Sequence, residues 1–204
     1  MGYRTKWKGS LKLSQPLTEK QQRWFNDWSK IRKIYYDSDK LMEHYKGVGS
    51  LDGDYGENGE FFGYIPNEVI FNYWNECYGS WVNGRNDENE DTWNECYRGW
   101  INGRNELMFP IHGKNNESPS NQPDLWMYWK IDGDTIEIDD DRVDGCSSWG
   151  GSHCDWLEYI RTKILSKWGI TFEDGGEIKW SGESVSDVGS IVYDDNVIDV
   201  ERGF

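Results

Sequence analysis

The sequence of 204 residues contains no alanine, while 13 Trp, 12 Tyr and 7 Phe supply its bulk. Any core must therefore be assembled from large rings together with Ile, Leu and Val. Each aromatic side chain buries roughly 150–250 Å². A few rings can thus organise a core although hydrophobic residues make up only 36% of the chain. Disordered chains are poor in aromatics, which excludes disorder throughout. The length fits one domain of ordinary size.

Charge narrows the partners. Lys plus Arg is 22 and Asp plus Glu is 37, a formal net charge of −15. A uniformly acidic surface repels phosphate backbones and disfavours a role in coating DNA or RNA. Met1 to Lys8 has no apolar stretch of the kind that begins a secretory signal. No apolar run approaches the roughly 20 residues that span a bilayer. The expectation is a cytosolic protein without membrane contact. Four cysteines, Cys77, Cys96, Cys146 and Cys154, show no short C-x₂₋₄-C spacing. They read as free packing thiols, and no metal or cofactor is expected.

Residues Tyr3 to Leu13 alternate, with Trp7, Gly9, Leu11 and Leu13 on one side and Lys6, Lys8, Ser10 and Lys12 on the other. This is a half-buried strand with a basic outer face. Thr18 and Gln21 form a capping-box pattern. Trp24, Phe25, Trp28, Ile31 and Ile34 then predict an amphipathic helix of about four turns. Residues 47–63 are rich in Gly, Asp and Glu and read as a solvated loop. Asp52, Asp54 and Glu60 do not have the spacing of a calcium loop.

The most distinctive local feature is a tandem repeat. Residues 74–86 begin Trp74-Asn-Glu-Cys-Tyr78, and residues 93–105 begin Trp93-Asn-Glu-Cys-Tyr97. Ten of thirteen positions are identical. Within each unit Trp, Cys, Tyr and Trp fall at i, i+3, i+4 and i+7, one helical face. Asn83-Gly84 and Asn102-Gly103 are natural helix stops, so two short helices are expected, with an Asn-Gly hairpin as the alternative.

Further on, Leu125–Ile131 and Thr135–Ile138 read as strands joined at Asp132-Gly133. Asp139 to Asp141 is a solvated turn, and Cys146 to His153 a glycine-serine loop. Trp156, Leu157, Ile160, Ile164, Leu165 and Trp168 mark a second amphipathic helix, stopped by Gly169. Strands follow at Glu177–Glu183, at Ser190–Tyr193 and at Val197–Val200. The expectation is a single α+β domain over 1–204, a mostly antiparallel sheet with two main helices on one face in ferredoxin-like order. The repeat sits in a helical insertion over about 47–122.

Several segments form a recognisable set. At the start these are Gly2-Tyr3, Gly9-Ser10-Leu11 and Pro16-Leu17-Thr18. In the middle they are Gly59-Glu60-Phe61-Phe62 and Pro119 to Trp126. At the end they are Asp155 to Ile160, Lys167-Trp168-Gly169, Gly176 to Glu183, Asp187 to Val192 and Asp195-Asn196. Together they resemble a family of small uncharacterised proteins of phages and prophages. These motifs are strand, turn and helix punctuation, and no established activity comes with them. The resemblance implies a viral accessory protein acting in the cytoplasm of a bacterium. The tandem repeat departs from the family pattern.

No Walker A motif, dinucleotide fingerprint or H-E-x-x-H occurs. His153, between Ser152 and Cys154 with Asp155 adjacent, is the one triad-like string; sequence neighbours rarely face one another, and a hydrolase is the weaker reading. A non-catalytic binding protein fits better. In one form it antagonises host defence by sequestering a small nucleotide signal. Trp74, Tyr78, Trp81, Trp93, Tyr97 and Trp100 would stack on bases. Arg85, Arg98 and Arg104 would grip phosphate. The plainer reading of the same stripe is that its aromatics pack two helices onto the sheet. In another form the chain is an acidic inhibitor that covers a basic nucleic-acid-binding surface of a host protein. A third is a virion or assembly component, with a Trp-rich surface as an oligomer contact.

Overall fold

A computed structural model describes residues 5–31, 33–63, 117–119, 121–139, 151–184 and 186–202. These belong to two compact units, Met1–Lys33 with Ser118–Phe204, and Ile34–Glu117.

The first unit is built on six strands: β1 (Lys6–Lys12), β2 (Trp129–Asp132), β3 (Thr135–Ile138), β4 (Gly176–Ser181), β5 (Val188–Asp194) and β6 (Val197–Arg202). Their order across the sheet is β2-β3-β1-β4-β5-β6, and every neighbouring pair is antiparallel. The fold is α+β, as the sequence patterns predict. Trp7 lies opposite Trp180, Leu11 opposite Ile136, and Ile178 opposite Ile191. All six are buried, so one face of the sheet is core. The other face carries the alternate residues, among them Lys6, Lys8, Lys12, Lys179, Asp199 and Glu201, all exposed. Ion pairs dress it: Lys130 with Glu137 at 3.2 Å, and Lys179 with Glu177 at 3.0 Å. Exposed pairs of this kind contribute about 0–1 kcal/mol each.

Gly9 has φ +109°, and a Cβ there would stand 2.5 Å from the backbone oxygen of Glu177. Only glycine lets β1 and β4 approach so closely at this point. The β5–β6 hairpin turns through Asp195 (φ 48°) and Asn196 (φ 62°), the two left-handed residues of a type I′ turn. The β2–β3 hairpin closes on the Asp132–Thr135 pair, so its turn residues are Gly133-Asp134, one place later than the sequence reading put them.

Helix α1 spans Glu19–Lys30. Its capping box is present: the Gln21 amide donates to Thr18 Oγ1 at 3.3 Å, and the Thr18 amide donates to Gln21 Oε1 at 2.9 Å. The helix is three turns long rather than four. Ile31 is already extended (φ −82°, ψ 138°), and its amide folds back to the Trp28 carbonyl at 3.2 Å. Lys33 follows and is buried, its ammonium 3.8 Å above the Trp28 ring and donating to the Trp28 carbonyl.

Helix α3 (Gly151–Tyr159) continues as a π turn over Ile160–Ile164 and a 3-10 turn over Leu165–Trp168, and is closed by Gly169 in the left-handed conformation. Thr162 Oγ1 donates to the Glu158 carbonyl at 2.7 Å, and Ser166 Oγ to the Thr162 carbonyl at 2.6 Å. Such back-bonding competes with regular helix bonds and accompanies the change of pitch. Helix α1 packs against β2 and α3 against β6. Trp28, fully buried, joins the two helices, with ring centroids 5.6 Å from Trp24, 6.0 Å from Trp156 and 6.3 Å from Tyr159. Rings in stacked, tilted and edge-on contact thus run through this alanine-free core, with Leu and Ile between them.

The second unit contains α2 (Ser38–Tyr45), capped by Asp37 Oδ1 accepting from the Lys40 amide at 3.1 Å. Residues 47–63 are not merely a solvated loop. Phe62 is buried at the centre of Tyr36, Tyr45 and Tyr55, at 5.4, 5.7 and 6.1 Å. Asp54 and Glu60 serve this local structure: Asp54 Oδ1 accepts from the Gly56 amide at 2.7 Å and Glu60 Oε2 from the Asn58 amide at 2.6 Å.

Candidate functional site

Trp74, Tyr78, Trp81, Arg85, Trp93, Tyr97, Arg98, Trp100 and Arg104 lie outside the described residues, as does the rest of the tandem repeat. So do Cys77, Cys96, Cys146, Asp140 and Asp141. Two other features of the first unit bear on function.

The first is the surroundings of His153. The sequence reading places it in a loop, but it stands in the first turns of α3, and its side chain is only 2% exposed. Its ring meets Trp7 of β1 edge-on at 4.8 Å, Trp129 of β2 at 6.1 Å and Tyr128 at 6.2 Å. Burial among these rings pushes the imidazole down to about 4, so it is neutral at physiological pH. The signal was present in the sequence: His153, Trp156 and Ile160 continue the i, i+3, i+7 stripe one turn before Trp156.

Its neighbour Cys154 is half-buried, and its thiol is pushed up to about 12 by burial first and then by the carboxylates of Asp155 and Asp199. A thiolate nucleophile needs the opposite environment, a cationic and accessible one. Burial thus disfavours both the thiolate of Cys154 and the charged form of His153. The indole N–H groups of Trp7 and Trp129 beside the imidazole, and of Trp156 further along α3, are buried and make no hydrogen bond among the described residues. The cluster offers ring faces and neutral donors. Among the described residues no group of three or more His, Cys, Asp or Glu is placed to hold a metal ion.

The second feature is the pair of sheet edges. At β2 the outer edge is occupied: Asn26 of α1 donates from Nδ2 to the Ile131 carbonyl at 2.8 Å and accepts the Ile131 amide at 2.9 Å. Gln22 Oε1 accepts the Gly133 amide at 3.1 Å. One helix thus supplies two amide side chains that mimic a neighbouring strand. The other edge is β6, whose exposed residues include Val197, Asp199 and Glu201.

No helix among the described residues is long and apolar enough to cross a membrane. Comparison with protein-family models, with curated proteins and with solved structures finds no match for this chain.

Proposed function

We propose that the chain is a non-catalytic binding protein of phage type, acting in the bacterial cytoplasm. The observation that carries this reading is the state of its one triad-like string. His153 is walled in by rings and held neutral, and Cys154 is held as a thiol beside two carboxylates. We further infer that the first unit is a ferredoxin-like frame with an added hairpin. The strand order β2-β3-β1-β4, with α1 after β1 and α3 after β3, supports it. Such a frame leaves function to what is grafted on it.

The graft favoured here is the repeat, with a small nucleotide signal of host defence as its ligand. Support comes from the duplicated unit, which supplies aromatic faces at matched positions, with Arg85 matched by Arg104 and Arg98 standing where the first copy has Gly79. Stacked bases and bidentate phosphate contacts need that combination. Native mass spectrometry of the protein purified from a bacterium with active defence tests it. A released mass of nucleotide size is expected, and its loss in the double variant Arg85→Ala, Arg104→Ala with an unchanged circular dichroism spectrum. Capture that persists in the double variant overturns the assignment.

The reading as an acidic inhibitor of a basic host surface has its own support in the net charge of −15. A charge of that size speeds encounter with a basic partner and makes association sensitive to salt.

A further inference from the structure

The two edges of the sheet are treated differently. In the β5–β6 hairpin the pair closing the two-residue turn is Asp194–Val197, which is hydrogen-bonded in both directions in such turns. Alternation then turns the backbone groups of Ile198 and Val200 outward, away from β5. The Val200 amide is taken by its own neighbour, Asp199 Oδ1, at 2.7 Å. The Ile198 amide and the carbonyls of Ile198 and Val200 meet no partner among the described residues. An unpaired main-chain edge is a template for an added strand. At the β2 edge, by contrast, Asn26 takes both main-chain groups of Ile131, and Gln22 takes the Gly133 amide of the following turn.

The side chains along the open edge define what fits. On the solvent face stand Asp199 and Glu201, with Asp194 of β5 in the next row, all exposed. On the helix side, Asp155 of α3 is exposed, and both it and Asp199 lie close enough to Cys154 to act on its thiol. Ile198 and Val200 between them are half-buried. A second copy of this chain is a poor occupant. The two best-overlapping antiparallel registers that keep the faces matched set Asp199 opposite Asp199 or opposite Glu201. Like charges directly opposite destabilise a strand pair. A strand with Lys or Arg at alternate positions meets carboxylates instead.

We propose that the outer edge of β6 is a docking rail for an extended basic segment of a partner protein, which adds to the sheet as a seventh strand. This stands independently of the tandem repeat. The Arg residues 85 and 104 are not needed for it.

The test uses the whole protein and a labelled peptide, Lys-Val-Lys-Val-Lys-Val-Lys, followed by fluorescence anisotropy in low-salt buffer. Binding is expected. A peptide of the same sequence with N-methyl groups on alternate amides keeps its charge but cannot complete the ladder, and is expected to bind at least ~10-fold more weakly. Asp199→Lys with Glu201→Lys in the protein is expected to weaken the unmodified peptide by a similar factor. The control Glu19→Lys with Asp27→Lys, on α1, is expected to leave it within ~2-fold. Slowed exchange of the Ile198 amide on peptide addition locates the contact. The proposal is overturned if the peptide fails to bind, or if the N-methylated peptide binds equally. It is equally overturned by protection that maps elsewhere, or by ultracentrifugation showing the edge filled by a second copy. The N-methyl comparison alters only the peptide, so it holds even if a protein variant folds poorly.

Discussion

Replacing His153 by Phe should flatten the acid side of the stability curve. In the folded chain burial holds this imidazole down to about 4, against 6.5 for the free group. At pH 7 the folded chain leaves it neutral, and the unfolded chain protonates it about one time in four. As pH falls through 6.5 the unfolded chain takes up a proton that the folded chain refuses until about 4. Across that window the unfolded state binds more protons, so stability falls as pH falls. With those two values, lowering pH from 7 to 5 removes about 2 kcal/mol from this group alone. That is roughly a 1 M drop in a urea midpoint for a slope of about 2 kcal/mol per molar. Phe keeps a ring against Trp7 and Trp129 and cannot titrate. Urea unfolding of both chains at the two pH values is the assay. The two chains differ only at position 153, so the difference between their losses isolates that residue. Parallel losses in the two chains, within ~0.5 kcal/mol, would refute the claim that His153 is held neutral by burial.

Asn26→Ala should destabilise the first unit by about 1–3 kcal/mol, since it leaves both the amide and the carbonyl of Ile131 without their partner. Thermal unfolding measures the loss, and faster hydrogen exchange at Ile131 assigns it to the β2 edge. Cys154, with its thiol pushed up to about 12, should resist iodoacetamide at pH 8 in the native chain and react in urea. Peptide mapping by mass spectrometry reads the modification, and rapid native labelling of Cys154 would contradict the environment described.

Much of the first unit was legible because its signals are local. Thr18 and Gln21 cap α1 through contacts three residues apart. The alternation of Lys6, Trp7 and Lys8 gives β1 one wet and one dry face. Asp195-Asn196 can form a type I′ turn without help from elsewhere. What stayed hidden depends on distant partners. The helical stripe can place His153 on the buried face of α3, but the rings that surround it, Trp7 and Trp129, come from far away in the chain. Asn26 reads as an ordinary surface residue of a helix until the β2 backbone, 105 residues later, meets its amide. Helix α2, only eight residues long with a short apolar stripe, gives too brief a period to recognise. The glycine-rich stretch from 47 to 63 hides a small aromatic core, because glycine content announces turns and says nothing of what Phe62 packs against.

The side-chain amides of Asn26 and Gln22 also set a limit on stoichiometry. A sheet open at both ends can be extended from either side, and units joined in that way propagate into a filament. With the main-chain groups of Ile131 at the β2 end bonded from within, a strand added at β6 does not meet the same free groups there to continue the series. Each molecule is then a chain terminator: it takes one strand and stops, and saturates at one segment per molecule rather than polymerising.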